Sequence, residues 1–169
     1  MDAIQANESP VVSEALVLRL RIDALYAEYA QVIDDDRLEE WPGLFVEHGR
    51  YRVTTRENYD HGHALSVVYC DGRGMMADRI AALRTANIYE PHVYCHLTSC
   101  ARILKSSPDE IHARANFSVI RTMQEGESTI FACGRSIDVI VPRDGRLLFK
   151  ERLVVMDSGR VDTLLVIPI

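Results

Sequence analysis

After Pro91 the apolar residues fall on every second position over long stretches, which predicts strands at 92–105, 110–123, 128–141, 146–157 and 161–167. Short turn signals separate them. Asp144-Gly145 and Glu125-Gly126 read as hairpin turns, and Ser106-Ser107-Pro108-Asp109 as a further turn. A half-chain of long, hairpin-linked strands makes a largely antiparallel sheet, and one face of that sheet needs a cover.

The first half supplies helices for it. Ser13 is placed to cap a long helix in which Leu18, Ile22, Leu25, Tyr26, Tyr29, Val32 and Ile33 recur at three- and four-residue steps. Arg19, Asp23, Glu28 and Gln31 occupy its other side. The helix is expected to stop at Asp34-Asp35-Asp36, where carboxylates meet the unfavourable end of the helix dipole. A short second helix follows with Leu38, Trp41, Leu44 and Phe45 on one face, limited by Pro42. From Gly49 the period is two, with Tyr51, Val53 and Thr55 on one side of a strand. A loop at 58–62, a short strand at 65–70 and a third helix through Met76, Ile80 and Leu83, ending near Asn87, complete this half. The fold class is α+β, with a strongly curved, mostly antiparallel sheet wrapped around N-terminal helices.

The length of 169 residues fits one domain, taken as 13–169, with 1–12 as a flexible or partner-held arm. A balance of 25 acidic against 19 basic side chains argues against a general binder of nucleic-acid backbones. No apolar run reaches the ~18 residues of a membrane span. The N-terminus lacks the basic and apolar regions of a signal peptide, so a cytoplasmic location is expected. In that reducing compartment Cys70, Cys95, Cys100 and Cys133 read as small buried apolar residues, with no C-x-x-C spacing between them.

The residues with most chemical potential are scattered. Asp34 and Asp35 close the long helix, Tyr51 begins a strand, and His92 and His96 share one face of a later strand with Tyr94. If that face lines the sheet interior, an Asp–His or Tyr–His pair could act as general acid and base. The alternative is a set of hydrogen-bonded polar groups at a sheet end or subunit contact. Metal chemistry finds no support in spacing. His92 and His96 would stand about 13 Å apart at ~3.3 Å per residue, and His61-Gly62-His63 reads as a solvated loop. The C-x-H and C-x-x-H pairs of a Rieske centre do not occur, and Asp71-Gly72-Arg73-Gly74 lacks the context of a phosphate loop. Around the third helix lie Arg73, Asp78, Arg79 and Arg84, with Arg79 expected to meet a buried carboxylate. The apolar run 164–169 must be covered by its own sheet or by another subunit, which suggests a trimer.

Several segments, in order, resemble one family. They are Tyr29-Ala30-Gln31-Val32-Ile33-Asp34 through Leu38-Glu39-Glu40-Trp41 to Tyr51-Arg52-Val53, then Met76-Ala77-Asp78-Arg79-Ile80 through Ala86-Asn87-Ile88-Tyr89 to His96-Leu97-Thr98. The last runs from Gly145-Arg146-Leu147 through Lys150-Glu151-Arg152 and Asp157 to Asp162-Thr163-Leu164 and Ile169. Together these resemble the small (beta) subunit of Rieske-type aromatic-ring-hydroxylating dioxygenases, the aromatic-acid, terephthalate type in particular. Ser99 stands where the family usually carries Asn. The resemblance implies an NTF2-like cone and a mainly structural subunit of an oxidoreductase that dihydroxylates aromatic rings. It implies an alpha partner in an alpha3beta3 complex, and that partner carries the Rieske 2Fe-2S cluster, the mononuclear Fe(II) and the substrate pocket. This chain would then hold no catalytic, cofactor-binding or metal residues. The competing expectation is a stand-alone NTF2-like dehydratase or isomerase using Asp34, Tyr51, His92 and His96.

Overall fold

The computed structural model describes residues 13–86, 89–159 and 165–169. The expected arm at 1–12 lies outside the described residues, as do Asn87, Ile88 and the segment 160–164. The long helix α1 spans Glu14–Asp34, and the Ser13 hydroxyl accepts the Leu16 N–H at its start. Ile22, Leu25, Tyr26, Tyr29, Val32 and Ile33 are its buried side. A 3₁₀ segment, Leu38–Leu44, carries Pro42 and buries Trp41 completely.

The strands are β1 (Phe45–Thr55), β2 (Val68–Asp71), β3 (His92–Thr98), β4 (Arg102–Ser106), β5 (Ile111–Met123), β6 (Ser128–Arg143) and β7 (Arg146–Met156). Between them lie a short helix α2 (Arg56–Asp60) and α3 (Arg73–Thr85). The loop expected at 58–62 is therefore helical over 58–60, in a turn started by the Thr55 hydroxyl, which accepts the Asn58 N–H.

The sheet runs β2-β1-β7-β6-β5-β3, with β4 also paired to β5. Every pairing is antiparallel except β1 with β7, which is parallel from Arg50 opposite Glu151 to Thr55 opposite Met156. The single strand expected at 92–105 is two. β3 and β4 follow one another along the same side of β5, and the chain breaks between them because other groups claim its backbone. Asp23 of α1 accepts the Ala101 N–H at 3.1 Å, while Ser99 exchanges hydrogen bonds with the Asn116 backbone.

Two glycines shape the sheet. A Cβ on Gly134 would sit 2.1 Å from the Val155 carbonyl oxygen, so β6 can cross β7 this closely only without a side chain. On Gly49 it would lie 2.9 Å from the Val46 carbonyl oxygen, where the β1–β7 register slips.

α1 packs into the concavity of the sheet, and aromatic side chains fill the space between. Phe149 receives Tyr26 and Tyr29 edge-on, each with centroids 5.8 Å away, and Trp41 stands edge-on to Tyr51 at 5.0 Å. Such pairs add about 0.5–1.5 kcal/mol each beyond their area burial. The strand expected at 161–167 falls mostly outside the described residues, and 165–169 form no strand. Leu165, Val166, Ile167 and Ile169 are instead buried in the chain's own core. The described part of the apolar terminus, 165–169, is covered from within.

Candidate functional site

The acidic turn that ends α1 is shared among three neighbours, His96, Arg37 and Arg84. The Asp34 carboxylate accepts the His96 main-chain N–H at 2.8 Å and faces His96 Nδ1 at 2.6 Å. A carboxylate has only lone pairs to offer, so Nδ1 carries the proton of this contact. Asp36 adopts φ +56°, and Arg84 of α3 holds it: Nη1 reaches both carboxylate oxygens at 2.8 Å and Nη2 donates to its carbonyl. Arg84 also binds Glu39, and that hydrogen bond lowers the Glu39 carboxyl below its ordinary value. Arg37 stands 3.6 Å from Asp35, so three consecutive carboxylates at an unfavourable helix end are tolerable because cationic or N–H donors face each of them.

His92, Tyr94 and His96 do share one face of β3, turned toward α1. Their rings run in a row, 5.0 Å from His92 to Tyr94 and 6.1 Å from Tyr94 to His96. His92 Nδ1 contacts the Glu90 carbonyl at 2.7 Å, and the Nε2 atoms of both histidines are buried without a hydrogen-bond partner. A cavity of about 340 Å³ beside this face is lined by Tyr26, Gln31, Asp34, His96 and Ser99 among others.

Tyr51 belongs elsewhere. Its hydroxyl donates to the Ile169 main-chain oxygen at 2.9 Å and accepts the Ile169 N–H at 3.0 Å, beside Trp41 and Phe45. Tyr29 donates to the same oxygen at 2.9 Å. Of the four candidates, the structure joins Asp34 with His96, sets His92 along the same strand, and uses Tyr51 to anchor the C-terminal segment.

Sequence reasoning missed a buried ion pair inside the cone. Asp138 on β6 and Arg152 on β7 pair at 3.2 Å across the ladder, both buried. Tyr26 and Ser136 donate to the same Asp138 oxygen, and Arg152 stacks 4.0 Å from the Tyr29 ring centre. Burial pushes the Asp138 carboxyl up, against the pull of Arg152 and the two hydroxyls. Burial opposes the Arg152 charge too, but Asp138 and the surrounding tyrosines outweigh it and hold the guanidinium above its ordinary range. Burial likewise raises Tyr26, Tyr29 and Tyr51 above ordinary tyrosines. The strand alternation places 138 and 152 inward, and a charge at an inward position was the available signal.

Among the described residues Arg79 meets no carboxylate. It donates to the Leu165 carbonyl and so pins the C-terminal segment to α3. Arg73 likewise caps the Phe45 carbonyl. Among the cysteines only Cys70 is buried, and its thiol is pushed up by that burial. Cys95 and Cys133 are exposed because they fall on the outward positions of β3 and β6, and Cys100 lies in the exposed break before β4. Among the described residues no three His, Cys, Asp or Glu side chains gather to hold a metal ion, so the donor set does not fit an iron centre or cluster. No described helix is long and apolar enough to cross a membrane.

The model of the ring hydroxylating beta subunit family matches residues 28–163. The chain is 39% identical to the beta 2 subunit of the terephthalate 1,2-dioxygenase terminal oxygenase component from Comamonas, over 91% of this chain and 100% of that one. It is 37% identical to the anthranilate 1,2-dioxygenase small subunit of Burkholderia cepacia, over 94% of this chain and 98% of that one. A crystal structure from Novosphingobium aromaticivorans, described as an aromatic-ring-hydroxylating dioxygenase beta subunit, superposes with a TM-score of 0.85 at 39% identity, covering 93% of this chain and 100% of that one. A chain from the same organism described as a scytalone dehydratase reaches a TM-score of 0.67 at 21% identity, over 85% of this chain and 87% of that one, which establishes the shared fold alone. The matched span covers most of the chain, and the chain belongs to the ring-hydroxylating beta subunit family.

Proposed function

We propose that this chain is the small, mainly structural subunit of a multicomponent oxygenase that dihydroxylates an aromatic ring, an aromatic acid in particular. The observation that carries the reading is the match to the terephthalate dioxygenase subunit, 39% identical along the whole of that relative. The large alpha partner supplies the Rieske 2Fe-2S cluster, the mononuclear Fe(II) and the substrate pocket, and the complex is alpha3beta3. The subunit acts in the cytoplasm as one domain over 13–169, with 1–12 as an arm. None of Asp34, Tyr51, His92 and His96 takes part in chemistry. In support, Tyr29, Trp41, Phe45, Tyr51 and Phe149 fill the centre of the cone, and the cavity beside Asp34 and His96, about 340 Å³, is at the low end of ligand-pocket volumes. The trimer of small subunits rests on the resemblance, since the C-terminal run is spent on the chain's own core.

The test is reconstitution with a large chain that carries C-x-H and C-x-x-H motifs. Dihydroxylation should require both chains. Dehydratase or isomerase activity in the isolated chain, abolished by His96→Ala, would overturn the reading in favour of a stand-alone enzyme built on Asp34 and His96.

A further inference from the structure

On the outward face of the sheet, Arg102 of β4 stands directly opposite Arg114 of β5. Side chains so paired have Cβ atoms about 4.5–5.5 Å apart, and like charges at that spacing destabilise the ladder. Both residues are exposed, and neither guanidinium has a carboxylate or hydrogen-bond partner among the described residues. That is unusual for this molecule. Several other arginines of the sheet and its margin are neutralised in place, Arg50 by Glu151, Arg135 by Asp60 and Arg56 by Asp157, while Arg52 and Arg143 meet neutral oxygens of Ser66 and Pro142. A chain with 25 acidic against 19 basic side chains had carboxylates to spare for this pair as well.

The surroundings have the chemistry of a docking point. A recess of about 300 Å³ at the two arginines is lined by Ser99, Cys100, Leu104 and Asn116. Leu104 is 54% exposed beside the charges. Cross-strand register extends the site into a row: Tyr69, Arg52, Leu153, Ile137, Arg114 and Arg102 follow one another across the sheet. Arginine and aromatic or aliphatic side chains in one band are the composition of interface centres. Two planar guanidinium forks side by side suit a carboxylate, which each can grip through two parallel N–H bonds.

We propose that Arg102 and Arg114 form a clamp for an Asp or Glu side chain of the large-subunit partner. The proposal rests on the small-subunit reading above and adds where, and by what chemistry, that partner is held. The competing explanation is that basic residues on the edge strand β4 merely deter edge-to-edge pairing between copies.

The experiment measures the dissociation constant between this chain and its co-expressed large subunit, at low and high salt, for wild type and for the double variant Arg102→Gln, Arg114→Gln. The expected result is at least a tenfold weakening at low salt and a flatter salt dependence, because the screened charge pair is gone. Arg143→Gln, on the β6–β7 hairpin, removes the same charge elsewhere and should stay within about twofold. The free double variant should unfold at the same or higher urea concentration, since a repulsive pair has been removed. Unchanged affinity with an intact fold would overturn the clamp, and self-association of that variant would then establish the edge-protecting role. If wild type forms no complex with the large subunit, the small-subunit reading itself falls, and the clamp with it.

Discussion

Asp34 and His96, 62 residues apart, meet through two hydrogen bonds on one carboxylate: 2.8 Å to the His96 main-chain N–H and 2.6 Å to its ring Nδ1. The pair ties the last turn of α1 to the middle of β3, near the edge of the sheet. An edge strand has one unpaired side, so a side-chain anchor of this kind fixes it to the helix inside the cone.

Asp34→Ala removes both bonds and leaves buried donors unpaired, which costs about 1–3 kcal/mol. Urea unfolding of the isolated chain should show a lower midpoint with an unchanged slope. Turnover per assembled complex should stay within about tenfold of wild type for Asp34→Ala and for His92→Ala, below the 10²–10⁴-fold share of a general acid or base. A hundredfold loss in fully assembled complex would identify a catalytic role.

The Asp138–Arg152 pair should respond differently. Removing one partner, as in Arg152→Met, strands a buried carboxylate and should cost about 3–5 kcal/mol. Replacing both, Asp138→Leu with Arg152→Met, should recover most of that loss, since well-packed apolar pairs often match buried ion pairs. Equal losses in the single and double variants would show that Tyr26 and Ser136, rather than the ion pair, carry the stability.

Tyr26, Tyr29 and Tyr51 have their ionisation raised by burial above the ordinary value of 10.0. Above pH ~10 the unfolded chain releases these protons first and the native chain keeps them, so stability falls as pH rises. Their contribution is fully present below that value, and each tyrosine adds up to about 1.4 kcal/mol per pH unit of loss above it. In an alkaline titration, tyrosinate absorbance from these three should appear together with loss of near-ultraviolet circular dichroism. Their ionisation in a still-folded chain would contradict the packing described.

Arg79→Ala deletes a charged donor to the Leu165 carbonyl, worth about 1.5–3 kcal/mol. The loss should concentrate at the C-terminal segment, with faster amide exchange at 165–169 than elsewhere. Uniform acceleration across the sheet would mean that Arg79 supports α3 rather than the segment.

Gly134→Ala drives a Cβ into the Val155 carbonyl, where only backbone can yield, and should cost about 3 kcal/mol, the upper end of the overpacking range. Gly43→Ala meets nothing within 4 Å and should be close to neutral. Thermal melting of the two variants makes the comparison, and similar melting temperatures would refute the close β6–β7 crossing.

Local chemistry made much of this protein readable from its residues. The Ser13 cap, the helical period of α1 and the Asp144-Gly145 turn depend on neighbours within a few positions, and each lies where the spacing placed it. The shared face of His92, Tyr94 and His96 followed from strand alternation, and the family from ordered motifs along the chain. Contacts between distant residues left no such trace. The parallel β1–β7 pairing, the break at 99–101 forced by Asp23, and the meeting of Asp138 with Arg152 depend on which strands become neighbours. The same holds for Tyr51, which looked like a catalytic candidate and instead holds Ile169 in the core. A side chain's period along the sequence reveals the face it occupies, while its partner is chosen by long-range packing, and only the folded structure brings that partner within hydrogen-bonding distance.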